Sequence, residues 1–248
     1  MISLFRSLFA PPRHLILVLV AFWLGISLAE KRATRLGIAK DTLSNLVFYS
    51  SVGYVIGGRL LFVLANLSAF RGNPLSIFSL NVDLFDSAGG LVAACIIGWI
   101  YGQRQNFPLW NTLDSLTPLL ATLAIGLSLA HLAAGTAFGK PTSVPWAIEL
   151  WNAKRHPTQI YEFIFAILIS GLIWHSTIDR PAGGDFLLFT ALTAGARLFL
   201  EAFRGDSTLI FGGIRSAQIV AWLVLATTMF ISELIRRRIE RLQINPPL

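Results

Sequence analysis

Three stretches of this chain put reactive side chains where an apolar sequence should have none. The segment RHPTQIYE (Arg155 to Glu162) gathers two basic groups, an amide, a phenol and a carboxylate, then runs into the uncharged FIFAILISGLIW. The stretch GARLFLEAFRGD sets Arg197, Glu201 and Arg204 at i, i+4 and i+7, which is one helical face. Two cations around one carboxylate leave a surplus positive charge that suits a bound phosphate, and the planar guanidinium fork matches phosphate oxygens. A purely structural ion network of these three with Asp114 or Glu162 is the alternative. Arg59 lies deep in VGYVIGGRLLFVL. An arginine at the centre of a spanning helix costs at least about 2.5–3.5 kcal/mol, so it faces a partner, either an internal counter-charge or an anionic ligand. Gly57 and Gly58 beside it allow another helix or a headgroup to come close.

The elements that hold these groups follow from composition. Of 248 residues, 54% are hydrophobic and 13% charged, against about a quarter charged in a soluble domain. Seven mostly apolar segments, 14–29, 44–67, 85–101, 117–138, 159–175, 185–203 and 214–235, are long enough to span a bilayer or nearly so. The expected fold is an all-α membrane bundle of about seven transmembrane helices, a single domain over 1–248. The net charge of +7 sits at helix ends and short loops, which fits anionic lipid headgroups and topology signals rather than nucleic acid. Cys95 stands alone, which excludes an internal disulfide and a cysteine metal site. Lys31, Arg32 and Arg35 follow the first apolar run directly, as they do behind a retained helix rather than a cleaved leader. Those residues, with Lys40, Arg236, Arg237, Arg238 and Arg241, form the dense basic clusters that abut helices. They place the C-terminus in the cytoplasm and the N-terminus outside, so that RHPTQIYE faces outward. A solute transporter would show two related halves with paired broken helices, and the sequence has no such repeat.

RHPTQ-x-YE, preceded by FGKPT-x-x-PWA and followed by ARLFLEAFR, resembles the bacterial prolipoprotein diacylglyceryl transferases. The likeness extends over nearly the whole chain, with GGRLLFV in the second segment and AGGL in the third. It implies an enzyme of the bacterial plasma membrane without metal or organic cofactor. Such an enzyme takes the diacylglyceryl group from phosphatidylglycerol, joins it by a thioether to the lipobox cysteine of a preprolipoprotein, and releases glycerol phosphate. Its partners are then phosphatidylglycerol, the preprolipoprotein signal peptide and membrane lipid. That chemistry needs a phosphate clamp, help in forming a thiolate from a thiol of pKa near 8.5, and room for two acyl tails beside a peptide helix.

The resemblance carries over to Arg59, Gly89, Gly90, Gly135, Gly139, Gln159, Tyr161, Glu162 and Arg204, with Arg155 of the same motif, as substrate-binding residues. It carries over to Arg197, Glu201 and His156 as catalytic ones. Asp114, Pro145, Trp146, Pro157 and Gln218 also occupy family positions. Taken alone, Gly89-Gly90 would read as close helix packing. The chain departs from the family pattern at several places. Ala88 stands where a histidine usually precedes the paired glycines, Ser128 at an arginine, His131 at an asparagine, Thr136 at a glutamate and His14 at a tyrosine. Two expectations follow. Either His131 or His156 handles the proton, with His131 the compensating residue, or the chain is a non-catalytic lipid-binding paralogue acting as an assembly or interaction subunit.

Overall fold

The computed structural model describes residues 2–79, 84–175, 180–210 and 212–244. The expected domain range of 1–248 therefore includes a few positions outside the described residues. Each of the seven expected segments is a helix. They are α2 (Leu15–Arg35), α3 (Lys40–Ala65), α5 (Ser87–Arg104), α6 (Leu109–Ala134), α7 (Thr158–Trp174), α8 (Gly184–Glu201) and α9 (Ser216–Ile244). Two short helices, α1 (Ile2–Leu8) and α4 (Leu67–Phe70), and a 3-10 turn at Pro74–Phe78 complete the helical set among the described residues. Two short hairpins are added, β1 (Ile148–Leu150) with β2 (Ala153–Arg155), and β3 (Leu209–Ile210) with β4 (Ile214–Arg215).

The protein is an all-α membrane protein. Lys40–Ala65, Leu109–Ala134 and Ser216–Arg241 are each long and apolar enough to cross a bilayer, and Thr158–Trp174 is a shorter apolar helix. Large apolar side chains such as Trp23, Phe48, Ile56, Trp99, Leu168, Trp222 and Phe230 point outward, while Thr117, Thr158, Gln159 and Glu201 are buried. That distribution inverts a water-soluble fold and suits lipid as the surrounding solvent.

Helix ends depart from the hydropathy boundaries for local reasons. α6 stops at Ala134 because Gly135 takes φ +73, a left-handed conformation that glycine adopts without steric cost. α9 runs on to Ile244, beyond the continuous apolar run, and Arg236 pairs there with Glu233 and Glu240 at i,i+3 and i,i+4.

The chain divides into two compact units, one formed by Glu30–Thr112 and the other by Met1–Ala29 with Leu113–Leu248. In the first unit α3 packs on α5 through small residues spaced four apart. A β-carbon on Gly57 would collide with Ala93, one on Gly53 with Ile97, and one on Gly90 would lie 2.8 Å from the Tyr54 carbonyl oxygen. Close backbone approach of this kind replaces the hydrophobic drive that is missing between helices in lipid.

In the second unit Ala121, Ile169, Ile173 and Phe189 form a core shared by α6, α7 and α8. Gly126 brings α6 so close to α2 that an added β-carbon would lie 3.0 Å from the Leu17 carbonyl oxygen. The buried Asp114 carboxylate caps α8, accepting from the Gly183 N–H at 2.7 Å and the Phe186 N–H at 2.9 Å. With α8 fixed there, its C-terminal end lies beside the end of α6 and the start of α7, where the reactive residues are.

The packing of α3 on α5 makes a prediction. Gly90→Leu or Gly57→Leu will destabilise the folded protein by about 1–3 kcal/mol, the usual cost of overpacking. Gly171→Ala, where an added β-carbon meets nothing within 4 Å, will be neutral or stabilising. Thermal unfolding in detergent, followed by helical circular dichroism, distinguishes the two classes.

Candidate active site

The centre of the second unit is the Glu162 carboxylate, in the first turns of α7. Its Oε1 accepts from Arg197 Nη1 at 3.0 Å and from Arg204 Nη1 at 2.8 Å. Its Oε2 lies 3.7 Å from His131 Nδ1 on α6. Arg197 also reaches back to Glu201 Oε2 at 3.1 Å, the i,i+4 pair expected from spacing. That contact is an ion pair without hydrogen-bond alignment. The Arg204 fork holds Asp206 through Nε and Nη2, each at 3.0 Å. Glu201 is fully buried and accepts from the Ser207 hydroxyl, and Arg215 donates to the Glu201 and Arg204 carbonyls.

The expected surplus of positive charge is therefore absent from this cluster. Arg197 and Arg204 meet Glu162, Glu201 and Asp206, while Arg215 donates to the Glu201 and Arg204 carbonyls and to Ser207. The reason is desolvation, because charge brought among apolar helices needs counter-charges or aligned dipoles at hand. The three arginines are not equivalent. Arg204 has donors from Nε, Nη1 and Nη2 engaged, whereas Arg197 makes its two side-chain pairs and remains 37% exposed. Guanidinium carries five N–H donors, so Arg197, unlike Arg204, has donors to offer a ligand from the cavity that it lines.

An extended segment that hydropathy did not reveal aligns these groups. The Lys140 N–H donates to the Phe203 carbonyl at 2.8 Å and the Gly205 N–H to the Phe138 carbonyl at 2.9 Å. On its other edge the segment accepts from the His156 N–H through the Lys140 carbonyl and donates from Thr142 to Lys154. It thus ties the residues after α8 to the strand before α7. Gly139 is obligatory there, since a β-carbon would collide with the His156 carbonyl. Arg155 lies over the Phe138 ring at 4.9 Å and donates to the carbonyls of Leu150 and Gly139. Thr158, wholly buried, donates to the Ala137 carbonyl at 2.6 Å, and the Gln159 amide donates to that of Thr136 at 2.8 Å. Gly135 accepts from the Trp151 indole. Arg155, Gln159, Gly135 and Gly139 thus hold the frame of the site.

Two cavities flank this frame. One, of about 180 Å³, is lined by Ser128, His131, Glu162, Arg197, Phe165 and Leu200 among others. The second, of about 380 Å³, is almost wholly apolar and is bordered by Trp146, His156, Tyr161, Phe199 and Phe203. At its rim the Trp146 indole donates to the Tyr161 hydroxyl at 2.7 Å, His156 Nδ1 lies 3.4 Å from that hydroxyl, and the His156 ring meets Phe203 edge-on.

Arg59, Gly89 and Gly90 belong to the other unit. Arg59 donates to the carbonyls of Ile77, Leu84 and Ser76 at 2.8, 2.6 and 2.5 Å and lies near the rings of Phe62 and Phe70. Among the described residues its partners are backbone oxygens and aromatic faces rather than a carboxylate. The Gly89 N–H donates to Asp86, which caps α5, and a β-carbon on Gly89 would collide with Leu61. Ala88 occupies the first turn of α5.

Sequence reasoning grouped Arg197, Glu201 and Arg204 by spacing and included Glu162, His131 and His156. It missed Asp206, Ser207, Arg215 and Phe203. Asp206 had a visible signal, two residues after Arg204 in the same RGD stretch.

The family model for prolipoprotein diacylglyceryl transferase matches residues 13–232. The chain belongs to that family. Among its relatives, the phosphatidylglycerol–prolipoprotein diacylglyceryl transferase of Clostridium tetani is 26% identical over 222 residues, covering 86% of this chain and 88% of its own. The protein of the same name from Bordetella parapertussis is 31% identical, covering 79% of each chain. That of Coxiella burnetii is 30% identical, covering 73% of this chain and 71% of its own. The family match runs across both compact units, from α2 to α9.

Thr158 gives a test of the frame. Thr158→Val keeps the shape but leaves the buried Ala137 carbonyl without its donor, which costs about 1–3 kcal/mol. The variant will show a lower melting temperature in detergent with helix content unchanged at low temperature.

Proposed function

We propose that this chain transfers the diacylglyceryl group of phosphatidylglycerol to the lipobox cysteine of preprolipoproteins, forming a thioether and releasing glycerol phosphate. The observation that carries this reading is a family match over residues 13–232 that includes every member of the Glu162–Arg197–Arg204 cluster. Arg197 offers its unengaged donors to the phosphodiester, and Arg204 stands behind it, sharing Glu162. As the glyceryl carbon–oxygen bond breaks, charge grows on the departing phosphate, and donors already in place stabilise it without reorganisation. Glu201 and Asp206 hold the two guanidiniums in position. His156 and Tyr161, at the mouth of the larger apolar groove, face the acyl or peptide side of the substrate pair. Arg59, Gly89 and Gly90 serve their own unit through packing and carbonyl contacts, which supports a structural part for them in the bound state as well. No observation among the described residues favours the non-catalytic alternative.

All seven long helices are read as spans of the bacterial plasma membrane in one functional domain, with the N-terminus outside and the C-terminus cytoplasmic. The basic clusters at the ends of α2 and α9 support that orientation. The reactive residues then lie in the outward half, where the signal peptide's cysteine arrives.

Production of the chain in cells depleted of their own transferase, with lipid labelling of a lipobox substrate, tests the activity. Labelling is expected, and its absence from a well-folded, membrane-inserted chain would refute the reading. Purified protein should retain phosphatidylglycerol in native mass spectrometry, and Arg197→Ala with Arg204→Ala should lose most of it. Unchanged retention in that double variant would overturn the clamp.

A further inference from the structure

We propose that His131 is the group that removes the thiol proton, with Glu162 as its positioning residue. The inference rests on the transfer reading above and names the base for it. The reaction needs one, because only the thiolate attacks and a free cysteine has a pKa near 8.5.

Besides Asp206, which the Arg204 fork holds through Nε and Nη2, four side chains of the site could take a proton, and geometry separates them. Glu162 has Oε1 occupied by two guanidiniums and Oε2 turned to His131. Glu201 is buried and held by Ser207 and Arg197. His156 has Nδ1 directed at the Tyr161 hydroxyl and its ring against Phe203, at an apolar groove. His131 differs from all three. Its Nδ1 is buried without a hydrogen-bond partner and faces Glu162 Oε2 at 3.7 Å, while the side chain as a whole is 31% exposed. Nε2 is thus the nitrogen left to the cavity. A carboxylate facing Nδ1 selects the Nδ1–H tautomer, which leaves the Nε2 lone pair free to accept. The separation exceeds a hydrogen bond, as such contacts often do before substrate is in place.

Location strengthens the assignment. His131 and Arg197 line the same cavity of about 180 Å³, so a base and a phosphate clamp face one small volume. That volume is too small for a whole lipid but suited to its head. The charged groups around the imidazole are Glu162 from α7 and Arg197 from α8, with Arg204 sharing the Glu162 carboxylate. Glu162 stabilises an imidazolium once formed, and the arginines keep it from trapping the proton permanently.

The step balances as written. The cysteine S–H gives its proton to His131 Nε2, and the sulfur pair attacks the glyceryl carbon that carries the phosphate ester. The carbon–oxygen bond breaks and its electron pair leaves on the phosphate oxygen, converting a diester into a monoester. The imidazolium then returns its proton to that monoester or to water.

Lipid labelling of a lipobox substrate by the purified full chain tests the proposal, with phosphatidylglycerol retention measured alongside by native mass spectrometry. His131→Asn should lower the labelling rate at least about 100-fold, as expected for loss of a general base, while phosphatidylglycerol is retained. His131→Gly should be similarly slow and regain part of the rate with added imidazole. Parental labelling by His131→Asn would overturn the proposal. So would a loss in His131→Gly that imidazole does not restore, or a loss accompanied by release of the lipid, since either marks a structural role. If the parent chain labels nothing, the transfer reading falls first and the histidine assignment with it.

Discussion

Charge brought among apolar helices has to be matched by polar partners close at hand, and the Glu162 carboxylate meets that requirement for two guanidiniums at once. Its Oε1 takes Arg197 and Arg204 together, from a helix and from the loop after it. Removing the carboxylate would leave the largely buried Arg204 and the more exposed Arg197 facing one another with no charge between them, which destabilises the pair. The position of Glu162 is in turn fixed by the start of α7, where Thr158 and Gln159 are anchored to the carbonyls of Ala137 and Thr136. A run of ordinary hydrogen bonds thus leads from the end of α6 to the charge at the centre of the site. The motif RHPTQIYE divides accordingly: Arg155, Thr158 and Gln159 build the frame, and His156, Tyr161 and Glu162 face the cavities.

The helices were legible because each is an apolar run bounded by charges or turn residues, and in lipid that pattern is set by solvation alone. The cluster at i, i+4 and i+7 was legible for the same geometric reason. The hairpins were not. The β1–β2 turn is Trp151-Asn152, both with positive φ, and lacks the glycine that would announce such a turn. Its strands are three residues each, too short for an alternating pattern. The partners of Arg59 were hidden for a different reason. A buried arginine signals that it has a partner, but backbone carbonyls carry no residue type, so Ile77, Leu84 and Ser76 give no sign in the sequence. Asp114 was expected as a candidate partner of the arginines and not as the cap of α8, because the two donors it meets there are main-chain N–H groups far along the chain.

The charge balance of the cluster bears on how a phosphate would be handled. A site with three unpaired arginines would bind substrate diester and product monoester tightly and release neither, and uniform binding of that kind adds nothing to turnover. Here Arg197 and Arg204 already share carboxylates and Arg215 donates to carbonyls and to Ser207, so an incoming diester of single charge gains only what the guanidiniums have left to donate. As the carbon–oxygen bond breaks, the phosphate approaches a second negative charge, and the same donors become worth more in a site of low dielectric. His131 adds to that difference. As the proposed base it gains a proton, and with it a positive charge, when the thiol is deprotonated, beside Glu162 and in the cavity that Arg197 lines. The positive charge missing from the resting cluster is in this way supplied during the step that needs it.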